Sequence, residues 1–165
     1  MILEGHAKKF GDNISTDLIA PGRLFHLRNN LPELAKHVLE DAEPNFYEKI
    51  QEGDFIVAGR NFGLGSSREH APAIIKIAGI GAVLAQSVAR IFFRNAINVG
   101  LPVFECDTSQ IEAEDLLRVD VLKGTVENLT KEISLPFHAL PHIMVDILND
   151  GGLMPHIQKH GGFNL

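Results

Sequence analysis

The chain has 165 residues, 45% of them hydrophobic and 22% charged, with a formal net charge of −6. These totals fit one globular domain over residues 1–165, large enough to bury a core. The acidic balance and the lack of any run of Lys or Arg exclude a nucleic-acid footprint, and no apolar run is long enough to span a membrane.

Met1 to His6 lacks the pattern of a signal peptide and reads as a first strand covering residues 1–10, so the cytoplasm is the expected location. The polar segment Gly11-Asp12-Asn13-Ile14-Ser15-Thr16-Asp17 follows. Thr16-Asp17 has two readings that the sequence does not separate. One is a turn or helix cap; the other is a carboxylate that orients a polar partner. Ala20 to Asn30 is rich in loop residues yet carries Arg23 and Arg28. Leu31 to Leu39 has a helical pattern with Leu34, Val38 and Leu39 on one side. Asn45 to Gln51 reads as a short helix stopped by Gly53.

Asp54 to Ala58 reads as a buried strand, and Ala71 to Ala78 as a helix. Between them lies Asn61-Phe62-Gly63-Leu64-Gly65-Ser66-Ser67-Arg68-Glu69-His70. Backbone N–H groups at a strand-to-helix junction can hold an anion, and glycines let a ligand approach the backbone. Arg68 adds a planar fork suited to a carboxylate. Ser66 and Ser67 add hydroxyls that can move a proton. A purely structural reading competes: Ser66 to Glu69 also fits a capping box, with Pro72 requiring a later helix start or a bend.

Gly79-Ile80-Gly81 ends this helix, and Ala82 to Ala85 is a short buried strand. Ser87 is the expected N-cap of a helix from Val88 to Ala96. On it Arg90 and Arg94 read as a solvated face and Ile91, Phe92 and Phe93 as core. Leu101 to Phe104 is a strand and Ile111 to Leu117 a short helix. Residues 119–127 suggest a hairpin, followed by a strand from Lys131 to Leu135. His142 to Leu148 and Pro155 to Lys159 read as helices around Gly151-Gly152. Strands that alternate with helices and then cluster indicate an α/β fold with a mixed sheet in three layers.

Cys106 is the only cysteine. It excludes an internal disulfide and a cysteine-built zinc or iron–sulfur site, and it reads as a small buried hydrophobe. His138/His142 and His156/His160 have i, i+4 spacing, which can put two ligands on one helix face. Pro141 interrupts the first pair and no acidic residue is close in sequence to the second, so no metal site is assigned to the chain.

Three motifs in order carry a resemblance. They are residues 11–17, then Asn61-Phe62-Gly63 with Gly65 to Ala71, then Ala89-Arg90-Ile91-Phe92 with Arg94 to Gly100. Together they resemble the small subunits of isopropylmalate dehydratase and homoaconitase, the stand-alone counterpart of the aconitase swivelling domain. The resemblance implies a swivelling β/β/α fold. It also implies a hydro-lyase reaction that isomerises a 2-hydroxy acid by dehydration and rehydration. The default substrate is 2-isopropylmalate, in leucine biosynthesis; homoaconitate and 2,3-dimethylmalate are alternatives. It implies no cofactor on this chain and a large partner subunit carrying a [4Fe-4S] cluster. By motif, Ser66 matches the catalytic serine and Asp17 the carboxylate that pairs with a histidine of the partner. Arg68 matches the arginine that grips a substrate carboxylate; Ser67 and the loop amides support both it and Ser66, and Thr16 stands beside Asp17 in the substrate-binding set. Arg28 lies where homoaconitase-type subunits place a carboxylate-reading arginine, while Leu24, Phe25 and Leu27 suit an apolar group. A stand-alone module that binds a dicarboxylate or phosphate is the reading from a different class.

Overall fold

Phe55–Ala58 (β2) and Ala82–Ala85 (β3) are buried at every position, as strands covered on both faces must be. The computed structural model describes residues 1–162. β1 (Ile2–Lys9), β2, β3 and β4 (Val103–Glu105) run parallel. β5 (Leu116–Asp120), β6 (Thr125–Asn128) and β7 (Ile133–Pro136) continue from β1 in antiparallel fashion. Among the described residues the sheet has seven strands in the order β4-β3-β2-β1-β5-β6-β7.

The two faces of the central strands feed different cores. Ile56, Ala58, Val83 and Ala85 pack with Leu34, Ile74, Ile75 and Phe92 of the helical layer. Phe55, Val57, Ala82 and Leu84 pack with Leu117, Val119, Val126 and Leu135 of the antiparallel strands. One sheet therefore curls over itself and supplies two layers, giving the β/β/α arrangement. Its two edges meet: Cys106, after β4, bridges to Phe137, after β7, and the rings of Phe104 and Phe137 lie 4.6 Å apart. Closing the edges in this way covers strand groups that would otherwise be exposed for pairing.

α1 (Thr16–Ile19), α2 (Leu31–Ala35) and α3 (Phe46–Lys49) lie between β1 and β2. α4 (His70–Ile77) joins β2 to β3, and α5 (Arg90–Val99) joins β3 to β4. α6 (His142–Asn149) and α7 (Leu153–His160) pack on α5. Among the described residues no helix is long and apolar enough to cross a membrane.

Four sequence expectations are corrected. α2 stops at Ala35, because the chain turns until Leu39, in left-handed geometry (φ 54°), donates its N–H to Ile19 O at 3.0 Å. Residues 111–117 do not form a helix. Asp115 accepts from Glu112 N and Asn128 Nδ2 and turns the chain, so that Leu116 and Leu117 join β1 as β5. α5 begins at Arg90 because Val88 bridges to Phe62 and Ala89 N donates to Phe62 O. Ser87 caps nothing there; its Oγ accepts from Asn61 N at 2.8 Å. Finally, α4 starts at His70 with no side-chain cap, which puts Pro72 in the first turn, where its missing N–H costs nothing. Ser66 is thereby excluded as the helix cap.

Candidate active site

The loop after β2 is stitched to the segment after β1. Asn13 and Asn61 both adopt left-handed geometry (φ 58°) and join through Asn61 Nδ2 to Asn13 Oδ1 at 3.0 Å. Gly63 N donates to Ile14 O, and Thr16 N donates to Leu64 O. Thr16 Oγ1 donates to Ser66 O at 3.0 Å. From the other side α5 wedges under the loop. Gly63 has φ 77°, and a Cβ on it would lie 2.3 Å from Phe92 Cγ, so only glycine fits. Phe92 is buried and packs edge-on against Phe62.

This scaffold presents Ser66 and Arg68. Arg68 Nε donates to Ser66 Oγ at 3.1 Å, Nη1 donates to Ala20 O at 3.1 Å, and Nη2 pairs with Asp17 Oδ1 at 2.5 Å. A guanidinium has five N–H groups. Among the described residues three are engaged, which leaves one on each Nη for a carboxylate. Asp17 is exposed and Arg68 half-buried, so their pair sits at the surface, where a ligand can compete. Beside them opens a cleft of about 240 Å³. Thr16, Ser66, Ser67 and Arg68 form one wall; Ile91 and Asn95 of α5 form the other.

Ser66, Ser67, Arg68, Thr16 and Asp17 are thus gathered in one place. Arg28 stands outside the cleft. Its guanidinium lies 4.3 Å over the Phe25 ring, and Nη1 donates to Phe25 O. Phe25 in turn faces His70, ring centroids 6.2 Å apart. Burial, then the charges of Arg68 and Arg28, pushes the His70 pKa down and disfavours the charged ring. Arg23 is committed to Glu40 and Asp41 and holds its loop down.

Sequence reasoning missed the α5 wall. Ile91 is not core: it is 54% exposed and lines the cleft, and Arg90 lines it too rather than forming only a solvated face. The signal was the motif Ala89-Arg90-Ile91-Phe92 itself, whose helix starts at its arginine. A larger cleft of about 610 Å³ lies at Arg60, Glu105, Asp107 and His138. It mixes opposed charges, and its one hydroxyl, Ser87, is occupied by Asn61 N.

The aconitase C-terminal domain model matches residues 4–107. The 3-isopropylmalate dehydratase small subunit 2 of Archaeoglobus fulgidus is 58% identical, with all of both chains covered. Small subunit 1 of the same enzyme from Thermotoga maritima is 56% identical over 98% of each chain. The chain belongs to the aconitase C-terminal domain family, in the branch of 3-isopropylmalate dehydratase small subunits. The crystal structure of a 3-isopropylmalate dehydratase from Methanocaldococcus jannaschii, 42% identical, superposes with a TM-score of 0.92 over 98% of this chain and 96% of that one. So high a TM-score means that this neighbour shares the curled sheet.

Cysteine chemistry is absent from the site. Cys106 is buried beneath the sheet edges, and burial, then Asp107, pushes its thiol up to about 12. A thiol so hard to ionise is a poor metal ligand. As the only cysteine, it does not fit a [4Fe-4S] cluster.

Proposed function

We propose that this chain is the small subunit of a hydro-lyase that interconverts 2-isopropylmalate and 3-isopropylmalate by dehydration and rehydration. It works only with a large subunit, which must hold the [4Fe-4S] cluster, because this chain has no ligand set for one. The observation that carries the reading is Arg68 Nε donating to Ser66 Oγ beside the cleft between the loop and α5. The names of the relatives, at 58% and 56% identity, give the reaction and the substrate.

Dehydration takes a proton from one carbon and the hydroxyl from its neighbour, leaving a double bond; rehydration in the opposite sense moves the hydroxyl. Ser66 Oγ removes the carbon-bound proton and returns it. A serine hydroxyl is a very weak acid, so its alkoxide needs a positive donor aimed at the oxygen, which Arg68 Nε supplies. The remaining N–H groups of Arg68 hold a substrate carboxylate. Asp17 fixes the guanidinium plane and reaches toward the partner. Ser67 and Thr16 line the same wall. The exposed Ile91 side chain offers the apolar contact that an isopropyl group needs. Departure of the hydroxyl falls to the partner.

The test is anaerobic co-expression with the large subunit, followed by hydratase assays on isopropylmalate, homoaconitate and 2,3-dimethylmalate. Turnover of isopropylmalate by the complex, and by neither chain alone, is the expected result. Preference for another acid overturns the substrate. Tight binding of a dicarboxylate by this chain alone, with no turnover in the complex, replaces the reading with a stand-alone binding module.

A further inference from the structure

The C-terminal hairpin of helices gathers a second group of chemistry-bearing side chains, away from Ser66. α6 ends at Asn149, and Asp150 follows as its C-cap. Gly151 and Gly152 then reverse the chain at φ 90° and 130°. A Cβ on Gly152 would lie 2.7 Å from Asn98 O, so the reversal is packed tightly onto the end of α5. Lys76 pins it further by donating to Val99 O and Gly151 O. The reversal brings the Asp150 carboxylate against the face of α7 that carries His156 and His160.

This supplies the acidic partner that the i, i+4 histidine pair lacks in the local sequence. His156 Nδ1 lies 2.8 Å and His160 Nε2 2.9 Å from the same carboxylate oxygen, Asp150 Oδ2. The two rings are 4.6 Å apart, and one ligand atom from each of the three residues lies within 4.8 Å of the others. His156 is buried, while the His160 side chain is 30% exposed. Lys159 takes the other carboxylate oxygen, Oδ1, at 2.9 Å. It orients the carboxylate so that Oδ2 faces the rings.

We propose that Asp150, His156 and His160 form a binding site for a divalent transition-metal ion, zinc by its ligand chemistry, that ties α7 to the end of α6. Two imidazoles and one carboxylate suit zinc rather than calcium or magnesium, which take oxygen ligands. Zinc with bonds of about 2.0–2.1 Å sets its tetrahedral ligands about 3.3 Å apart. Each imidazole nitrogen, now 2.8 or 2.9 Å from Asp150 Oδ2, moves about 0.4–0.5 Å away from that oxygen, and the ion takes the place of the two hydrogen bonds. His160 is partly exposed, so a water can serve as the fourth ligand. Lys159 stays on Oδ1 or, being exposed, swings away. The site joins two helix ends and owes nothing to the isopropylmalate reading.

The test is titration of the chelator-stripped full chain with zinc chloride, by calorimetry and by thermal unfolding. One ion per chain is expected, with a melting temperature that rises with free zinc, since an ion that binds only the folded state stabilises it. Loss of a direct ligand in His160→Ala should weaken binding by about 100-fold or more, the upper end of what even outer partners of metal ligands cost. His160 lies on the outer face of the last helix, so this variant keeps the fold, and its circular dichroism in the absence of zinc checks that. Asp150→Asn should lose the zinc-dependent rise in melting temperature. His138→Ala/His142→Ala, which removes the other spaced pair, should bind as the parent does. Absence of stoichiometric binding, undiminished binding in His160→Ala, or loss of binding in the His138/His142 variant each overturns the site and leaves a hydrogen-bonded helix clasp.

Discussion

Two arginines flank the segment Gly22–Leu27, and they are held in opposite ways. Arg68 enters from the loop after β2 with three of its N–H groups engaged by Ser66, Ala20 and Asp17. Arg28 lies at the far end, exposed, and folds back over its own loop's Phe25. The first is fixed by contacts that cross some fifty residues of sequence, the second by a neighbour three residues away. An arginine fixed from several directions can aim a hydrogen bond at a reacting oxygen. One stacked on a half-exposed ring keeps its freedom to move and does little until a ligand recruits it.

The largest effect tests whether Arg68 has something to aim at. Ser66→Ala in the assembled enzyme should lower kcat by about 10³-fold or more, the scale of losing a general base. Assembly should be intact, because among the described residues the hydrogen bond of Ser66 Oγ is the one it accepts from Arg68. Gel filtration of the complex with the large subunit, alongside steady-state assays on isopropylmalate, separates the two effects. Near-normal turnover removes Ser66 from the role of base.

Arg68→Lys comes next. Lysine keeps the charge but cannot reach Ser66 Oγ, Ala20 O and Asp17 from one planar group. Losing aimed, charge-assisted hydrogen bonds of about 1.5–3 kcal/mol corresponds to about a 10- to 100-fold fall in kcat/KM. Both parameters should move: KM through the substrate carboxylate and kcat through the serine. A change in KM alone would leave Arg68 as a grip with no part in activating Ser66.

Much of this contrast was legible beforehand. The buried runs Phe55–Ala58 and Ala82–Ala85 announced the central strands, and the glycines and hydroxyls of residues 63–68 announced the junction. Patterns failed where a distant partner decided the outcome. Ser66 and Ser87 are both good caps by local rules, yet Arg68 claims one and Asn61 N claims the other. Leu116 and Leu117 read as the end of a helix until β1 lies alongside them. Ile91 has the composition of core, but α5 turns it toward the cleft. Asp150 is ten residues from His160 and meets it only because two glycines reverse the chain.

The smallest effect falls on Arg28. Its cation–π contact with Phe25 is exposed and contributes about 0.5–1 kcal/mol. Arg28→Ala should therefore slow isopropylmalate turnover by less than about fivefold, since 1.4 kcal/mol is a factor of ten. The informative quantity is the ratio of losses on two substrates. Homoaconitate carries a carboxyethyl arm, ending in a carboxylate, where isopropylmalate carries an isopropyl group. If Arg28 leaves the Phe25 ring to meet that carboxylate, the variant loses homoaconitate turnover at least tenfold more than isopropylmalate turnover. Equal, small losses mean that Arg28 serves Phe25 alone. The substituent then meets the apolar side of the cleft at Ile91, and Ile91→Ala becomes the substitution that lowers isopropylmalate affinity.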